Sequence, residues 1–136
     1  MTNDRLLHEQ ETVRAFILKD RRERCAYLLG HPKHRRKFTN ELAHFKWLDE
    51  RFANPIPSRT AHTAAELVQL LRKKGAGKRV WVISDDSAID AKEMLLDEAM
   101  THIWGRQIGT ILSCLPGKLA FFAGEEMKSE RLLEHS

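Results

Sequence analysis

Three groups of residues in this chain have the types and spacing to do chemistry. The first is His31-Pro32-Lys33-His34-Arg35-Arg36-Lys37, which places four Lys/Arg and two His in seven positions. Cations at that density can hold phosphates or carboxylates, and the free amides of a helix start would add to them. Arg21 and Arg24 lie upstream and extend the group if the segment between is helical. The run lacks the interleaved aromatic residues on which single-strand binders stack bases. A run of this kind also serves simply as a solvated face, or as a docking face for acidic residues of the same chain.

The second group is Ser84-Asp85-Asp86-Ser87-Ala88-Ile89-Asp90, which follows an apolar run, together with Cys114 on a later one. Carboxylates at a strand's carboxyl end are where sites of α/β sheets often lie, and three or four oxygens could hold a divalent ion. The spacing is not that of an EF-hand, because it lacks the central glycine and the terminal bidentate glutamate. Turn formation by Asp and Ser, with Asp90 and Glu93 capping a helix, explains the same residues without a ligand. The third group, Glu41 and His44, has the Glu-x-x-His spacing of di-iron bundles, but a second copy of the motif is missing.

Other nucleophile and cofactor signals are weaker. Ser84, Ser113 and Cys114 stand outside any Gly-x-Ser-x-Gly elbow or local Cys/His signature. Gly75-Ala76-Gly77-Lys78 looks like part of a phosphate loop, yet it follows a helical pattern and precedes a strand, the reverse of the required order. No cofactor is therefore expected.

Charge is divided sharply along the chain. Residues 1–83 carry 18 Lys/Arg and 9 Asp/Glu, while residues 84–136 carry 5 and 10, so the net +4 is +9 followed by −5. A basic part of this kind faces an acidic partner, or the two parts face each other within one molecule or between copies. At 136 residues, with 42% hydrophobic and 31% charged positions, the chain suits one folded domain with a core of its own. Its first residues develop no secretory apolar stretch, and no apolar run is long enough to span a membrane. The expectation is a cytoplasmic protein without a membrane partner, with Cys25 and Cys114 reduced and packed.

These groups must be positioned by the surrounding elements. Residues 7–52 read as an antiparallel helical hairpin, with Gly30 as a left-handed stop and Pro32 opening the second helix. Phe38, Leu42, Phe45, Leu48 and Phe52 repeat at helical spacing and predict a continuous apolar stripe. That geometry would bring Cys25 to Phe38, Leu18 to Phe45, Arg22 to Glu41 and Arg14 to Asp49. Residues 53–62 read as a linker, and Thr63 and Glu66 as a capping box opening a third helix. Arg79–Ser84 is the best strand, and Leu96, Ala99, Met100 and Ile103 form the inner stripe of a helix stopped at Gly105. Residues 110–114 and 118–122 form a hairpin around Pro116-Gly117. A crossover could make the first two strands parallel. In that hairpin one of the adjacent rings Phe121 and Phe122 should point away from the packed face.

The fold expected is α+β, in the order α-α-α-β-α-β-β, with about three strands in a mixed or antiparallel sheet. One domain, 1–136, would contain a hairpin subregion at 1–52 and an α/β subregion at 63–126. The first functional expectation is a non-catalytic interaction or regulatory protein that self-associates or binds an acidic partner through Lys33, His34, Arg35, Arg36, Lys37, Arg21 and Arg24. The second is nucleic-acid binding through residues 33–37. The third is a small enzyme with its site at Ser84, Asp85, Asp86, Asp90 and Cys114.

Overall fold

The computed structural model describes residues 4–56, 63–126 and 129–135. It is an α+β protein, with helices on both faces of one antiparallel sheet. The helices are α1 (Asp4–Phe16), α2 (Arg22–Gly30), α3 (Arg35–Glu41), α4 (Ala64–Lys73) and α5 (Leu96–Ile103). The strands are β1 (Ala53–Pro55), β2 (Arg79–Ser84), β3 (Glu93–Leu95), β4 (Thr110–Leu115), β5 (Leu119–Ala123) and β6 (Arg131–Glu134), in the spatial order β1-β6-β5-β4-β2-β3. The sheet thus has six strands where about three were expected. The additions are short pieces, β1, β3 and β6, too brief to show an alternating pattern.

Strand alternation assigns the two faces. Val80, Val82, Leu112, Cys114, Phe121 and Leu132 point toward α4 and α5, whose Leu67, Leu71, Leu96 and Met100 complete that core. Ile83, Ile111, Ala120, Phe122 and Leu133 point the other way, toward Val13, Phe16, Cys25, Leu29 and Phe38 of α1, α2 and α3. Phe121 and Phe122 are both buried, because each face of the sheet carries a helical layer. Neither ring therefore marks an exposed partner surface. The β2 and β4 strands are antiparallel neighbours, with Trp81 opposite Ser113 and Ser84 opposite Thr110, so the parallel crossover is not formed. The expected hairpin is β4 and β5, with Gly117 at φ +71 in its turn.

The helical hairpin is broken on both sides. α1 ends at Phe16, where Ile17 pairs antiparallel with Leu48. The Leu18 amide donates to the Trp47 carbonyl at 2.8 Å, and the Asp49 amide to that of Phe16 at 2.8 Å. Residues 42–52 therefore run as 3-10 turns and extended chain after a short α3. The aromatic stripe is still buried or half-buried in one core, so its spacing marked the core positions and not their conformation. Of the expected neighbours, Cys25 and Phe38 share that core. Arg22 bonds instead to the Ile17 carbonyl, Arg14 pairs with Glu11, and Asp49 pairs with Arg51. Gly30 is not left-handed; α2 ends on an extended His31. Asp90 caps no helix, since β3 intervenes before α5 starts at Leu96.

Part of the expected linker, Ala53–Pro55, is the edge strand β1 and pairs with β6; residues 57–62 lie outside the described ones. Thr63 caps α4 by accepting from the Glu66 amide at 3.1 Å. Among the described residues no helix is long and apolar enough to cross a membrane.

Gly109 is where the loop before β4 passes against the end of α3. A Cβ on it would overlap the backbone of Leu42 and Ala43. We therefore expect Gly109→Ala to destabilise the fold by roughly 3 kcal/mol in urea unfolding, since backbone cannot yield as a side chain does. Gly77→Ala, where a Cβ meets nothing within 4 Å, should cost far less.

Candidate functional site

The basic run is split by the fold into an inward and an outward part. Arg35, on the first turn of α3, is 8% exposed. Its Nε and Nη2 donate to the two oxygens of Asp90 at 2.7 and 2.9 Å, a bidentate pair. Nη2 also lies 2.8 Å from Oε2 of Glu9, a buried residue of α1. That contact is an ion pair without hydrogen-bond alignment, which leaves Oε2 without a bonded donor. Asp90 in turn accepts the Ser84 amide at 2.9 Å, so one carboxylate joins α3 to the end of β2. Burial works against the Arg35 charge, but the hydrogen bonds that Arg35 donates to Asp90 and the attraction of the Asp90 and Glu9 carboxylates outweigh it and hold the guanidinium further above its ordinary value. Arg35 is thus spent inside the protein and does not face a phosphate.

Arg36 also turns to the acidic loop. Its Nη1 donates to the Asp85 carbonyl at 3.1 Å, and Nη2 stands 3.9 Å from the Asp85 carboxylate. Both side chains remain substantially exposed, so this is a surface contact.

The outward part is different in kind. Lys33 and Lys37 are exposed, as is Arg24 on α2. Close to them in the chain, Tyr27, His31 and His34 form a group of rings that the sequence pattern did not announce. Tyr27, 48% exposed, lies 5.2 Å from His31 and 5.7 Å from His34 between ring centroids, and the two histidines are 5.2 Å apart. Tyr27 and His34 are nearly parallel, at 29°. The available signal was the i, i+3 and i+4 spacing of Arg24, Tyr27 and His31 on one helix face, continued by His34 across the turn. Arg21 is set apart: it lies at the other end of α2, its guanidinium 5.3 Å over the Trp47 ring.

The alternative site is not assembled. Each carboxylate of the acidic loop turns to a different side chain: Asp85 to Arg36, Asp90 to Arg35, and Asp86 to Nε2 of His102 at 2.8 Å. The His102 hydrogen bond, and after it the Ala88 amide, hold Asp86 below the usual carboxylate range. Among the described residues no three His, Cys, Asp or Glu side chains stand close enough to share a metal ion. Ser84 Oγ is buried against Thr110 Oγ1 at 2.9 Å. Cys114 lies near the opposite end of the β2–β4 pair, about 16 Å from Asp85 at roughly 3.3 Å per strand residue. Burial pushes its thiol up to about 12, so it is no nucleophile at neutral pH. Burial likewise pushes Cys25 to about 11.

Two other histidines make polar side-chain contacts. His8 Nδ1 is 2.7 Å from Ser113 Oγ, a dyad in composition. Ser113 is only 1% exposed under α1, so a substrate cannot approach its hydroxyl. Desolvation lowers the His8 pKa, with Asp4 and Glu93 pulling the other way. His44, the histidine of the Glu-x-x-His spacing, lies against Glu125 and Glu126, at 3.1 and 3.4 Å.

No protein-family model, curated protein or solved structure matches the chain. Its surface chemistry is therefore the guide to function.

Removing Arg35 should be far more damaging than removing Arg36. Arg35→Ala leaves two carboxylates facing each other without a cation, and we expect a loss of about 3–5 kcal/mol in urea unfolding. Arg36→Ala should cost less than about 1 kcal/mol in the same assay.

Proposed function

We propose that this chain is a non-catalytic binding protein whose outer surface at the α2–α3 turn takes an acidic polymer. The observation that supports it is what remains after the internal pairs are formed. Arg24, Lys33 and Lys37 are exposed and make no ion pair with the described residues, whereas the neighbouring Arg35 is paired with Asp90 and Glu9 and Arg36 rests against Asp85. Cations left unpaired at one corner favour approach by a polyanion, and the attraction falls as salt rises.

The internal pairing also bears on self-association. Glu9, Asp85 and Asp90, the carboxylates that pair with the basic run, are used within the molecule. A second copy would have to offer other carboxylates, such as the exposed Asp97 and Glu98 at the start of α5. The enzyme reading has little support, because its serine, cysteine and carboxylates are buried, separated or paired.

Heparin is a suitable probe, because it supplies polyanionic charge without bases. We expect it to bind with an affinity that declines steeply with salt, and Lys33→Glu/Lys37→Glu to reduce that affinity by about tenfold or more. Light scattering in the same salt series should show a monomer. A salt-sensitive dimer that ignores heparin would instead favour the second copy as partner.

A further inference from the structure

Resting on that reading of the α2–α3 corner, we infer that the acidic polymer is single-stranded nucleic acid, with bases stacking on the Tyr27, His31 and His34 rings while Arg24, Lys33 and Lys37 hold the flanking phosphates. Charge alone would not call for these rings. A sulfated polysaccharide or an acidic peptide can be held by the cations alone, to which Tyr27 would add at most one hydrogen bond from its hydroxyl, with no use for the ring faces. A nucleobase gains from both features, since stacking on an aromatic ring is sequence-tolerant and phosphates lie on either side of each base.

The placement of the groups fits this use. Tyr27 sits three residues after Arg24, on the same face of α2. His31 and His34 flank the turn, and Lys37 follows one turn into α3. Ring centroids 5.2 to 5.7 Å apart make a patch the size of one or two bases rather than a long groove. The partner is therefore an unpaired segment, in which base faces are free. In a duplex those faces are stacked on each other and closed to a surface of this shape. Two of the rings, His31 and His34, belong to the basic run, and the third, Tyr27, comes from α2 before it.

Because Tyr27 is the only tyrosine of the chain, its ring protons form an unambiguous NMR reporter. The experiment is a titration with a labelled mixed-sequence single-stranded oligonucleotide, its duplex, and heparin, on the full chain and on Tyr27→Ala and Tyr27→Phe. Tyr27 is half-exposed, so its truncation leaves both cores intact. The expected result is preference for the single strand over the duplex, with upfield shifts of the Tyr27 ring on binding. Tyr27→Ala should weaken the oligonucleotide by about 5- to 100-fold and leave heparin within about twofold, because the ring carries no charge. Tyr27→Phe should retain the wild-type affinity. If heparin binds and Tyr27→Ala leaves the oligonucleotide affinity unaltered, the stacking inference fails and the acidic-polymer reading stands. If poly-glutamate matches the oligonucleotide and depends equally on Tyr27, the partner is an acidic peptide and the inference fails. If neither heparin nor the oligonucleotide binds, both fall.

Discussion

Arg35 stands in a place that excludes water, held between Asp90 and Glu9 at 2.7 and 2.8 Å, and a charge in such a place must keep its partners. The three residues come from α3, from the loop between β2 and β3, and from α1, so the ion cluster joins the basic half of the chain to the acidic half at one point. The Ser84 amide on Asp90 extends the tie into the sheet. The helical layer could slide over an apolar sheet face with little penalty for any one register, because hydrophobic contact has no direction. A bidentate guanidinium has one. The pairing therefore selects how α1, α2 and α3 sit on the sheet, and in doing so decides which cations of residues 31–37 face inward.

That selection gives the division of charge along the chain an internal meaning. A contact of Arg35 with Asp90 and of Arg36 with Asp85 is the two halves facing each other within one molecule. A further pair repeats it at another place: Lys74 with Glu134 across to β6. Arg24, Lys33 and Lys37, on the outer side of the α2–α3 turn, are among the cations that this pairing leaves exposed. Rings gather there too, and the coincidence of the two is what gives the surface a chemical character beyond solvation.

Much of the second half was legible in the sequence because its signals were local. Thr63 does cap α4, Leu96, Ala99, Met100 and Ile103 do form the buried stripe of α5, and Pro116-Gly117 does turn the β4–β5 hairpin. The first half was less legible because its signals were periodic without being conformational. Phe38, Leu42 and Leu48 are core residues as their spacing implied, yet the Ala43 carbonyl accepts the Glu125 amide at 2.8 Å and the chain beyond it pairs with residues 16–18. Tertiary hydrogen bonds override helical propensity there. The candidate site was half legible. Lys33 and Lys37 keep the exposure a basic run implies, whereas the burial of Arg35 depends on Glu9 and Asp90, 26 and 55 positions away, and no local pattern announces contacts of that range.

Residues 31–37 divide into a clamp and a surface, and side-chain NMR of the arginines during an oligonucleotide titration distinguishes the two. The Arg35 Hε resonance should be sharp, protected from exchange and unmoved by oligonucleotide or salt, while signals of Arg24, Tyr27, Lys33 and Lys37 shift together. An Arg35 Hε that exchanges freely with water, or that shifts with the ligand alongside the others, would contradict it.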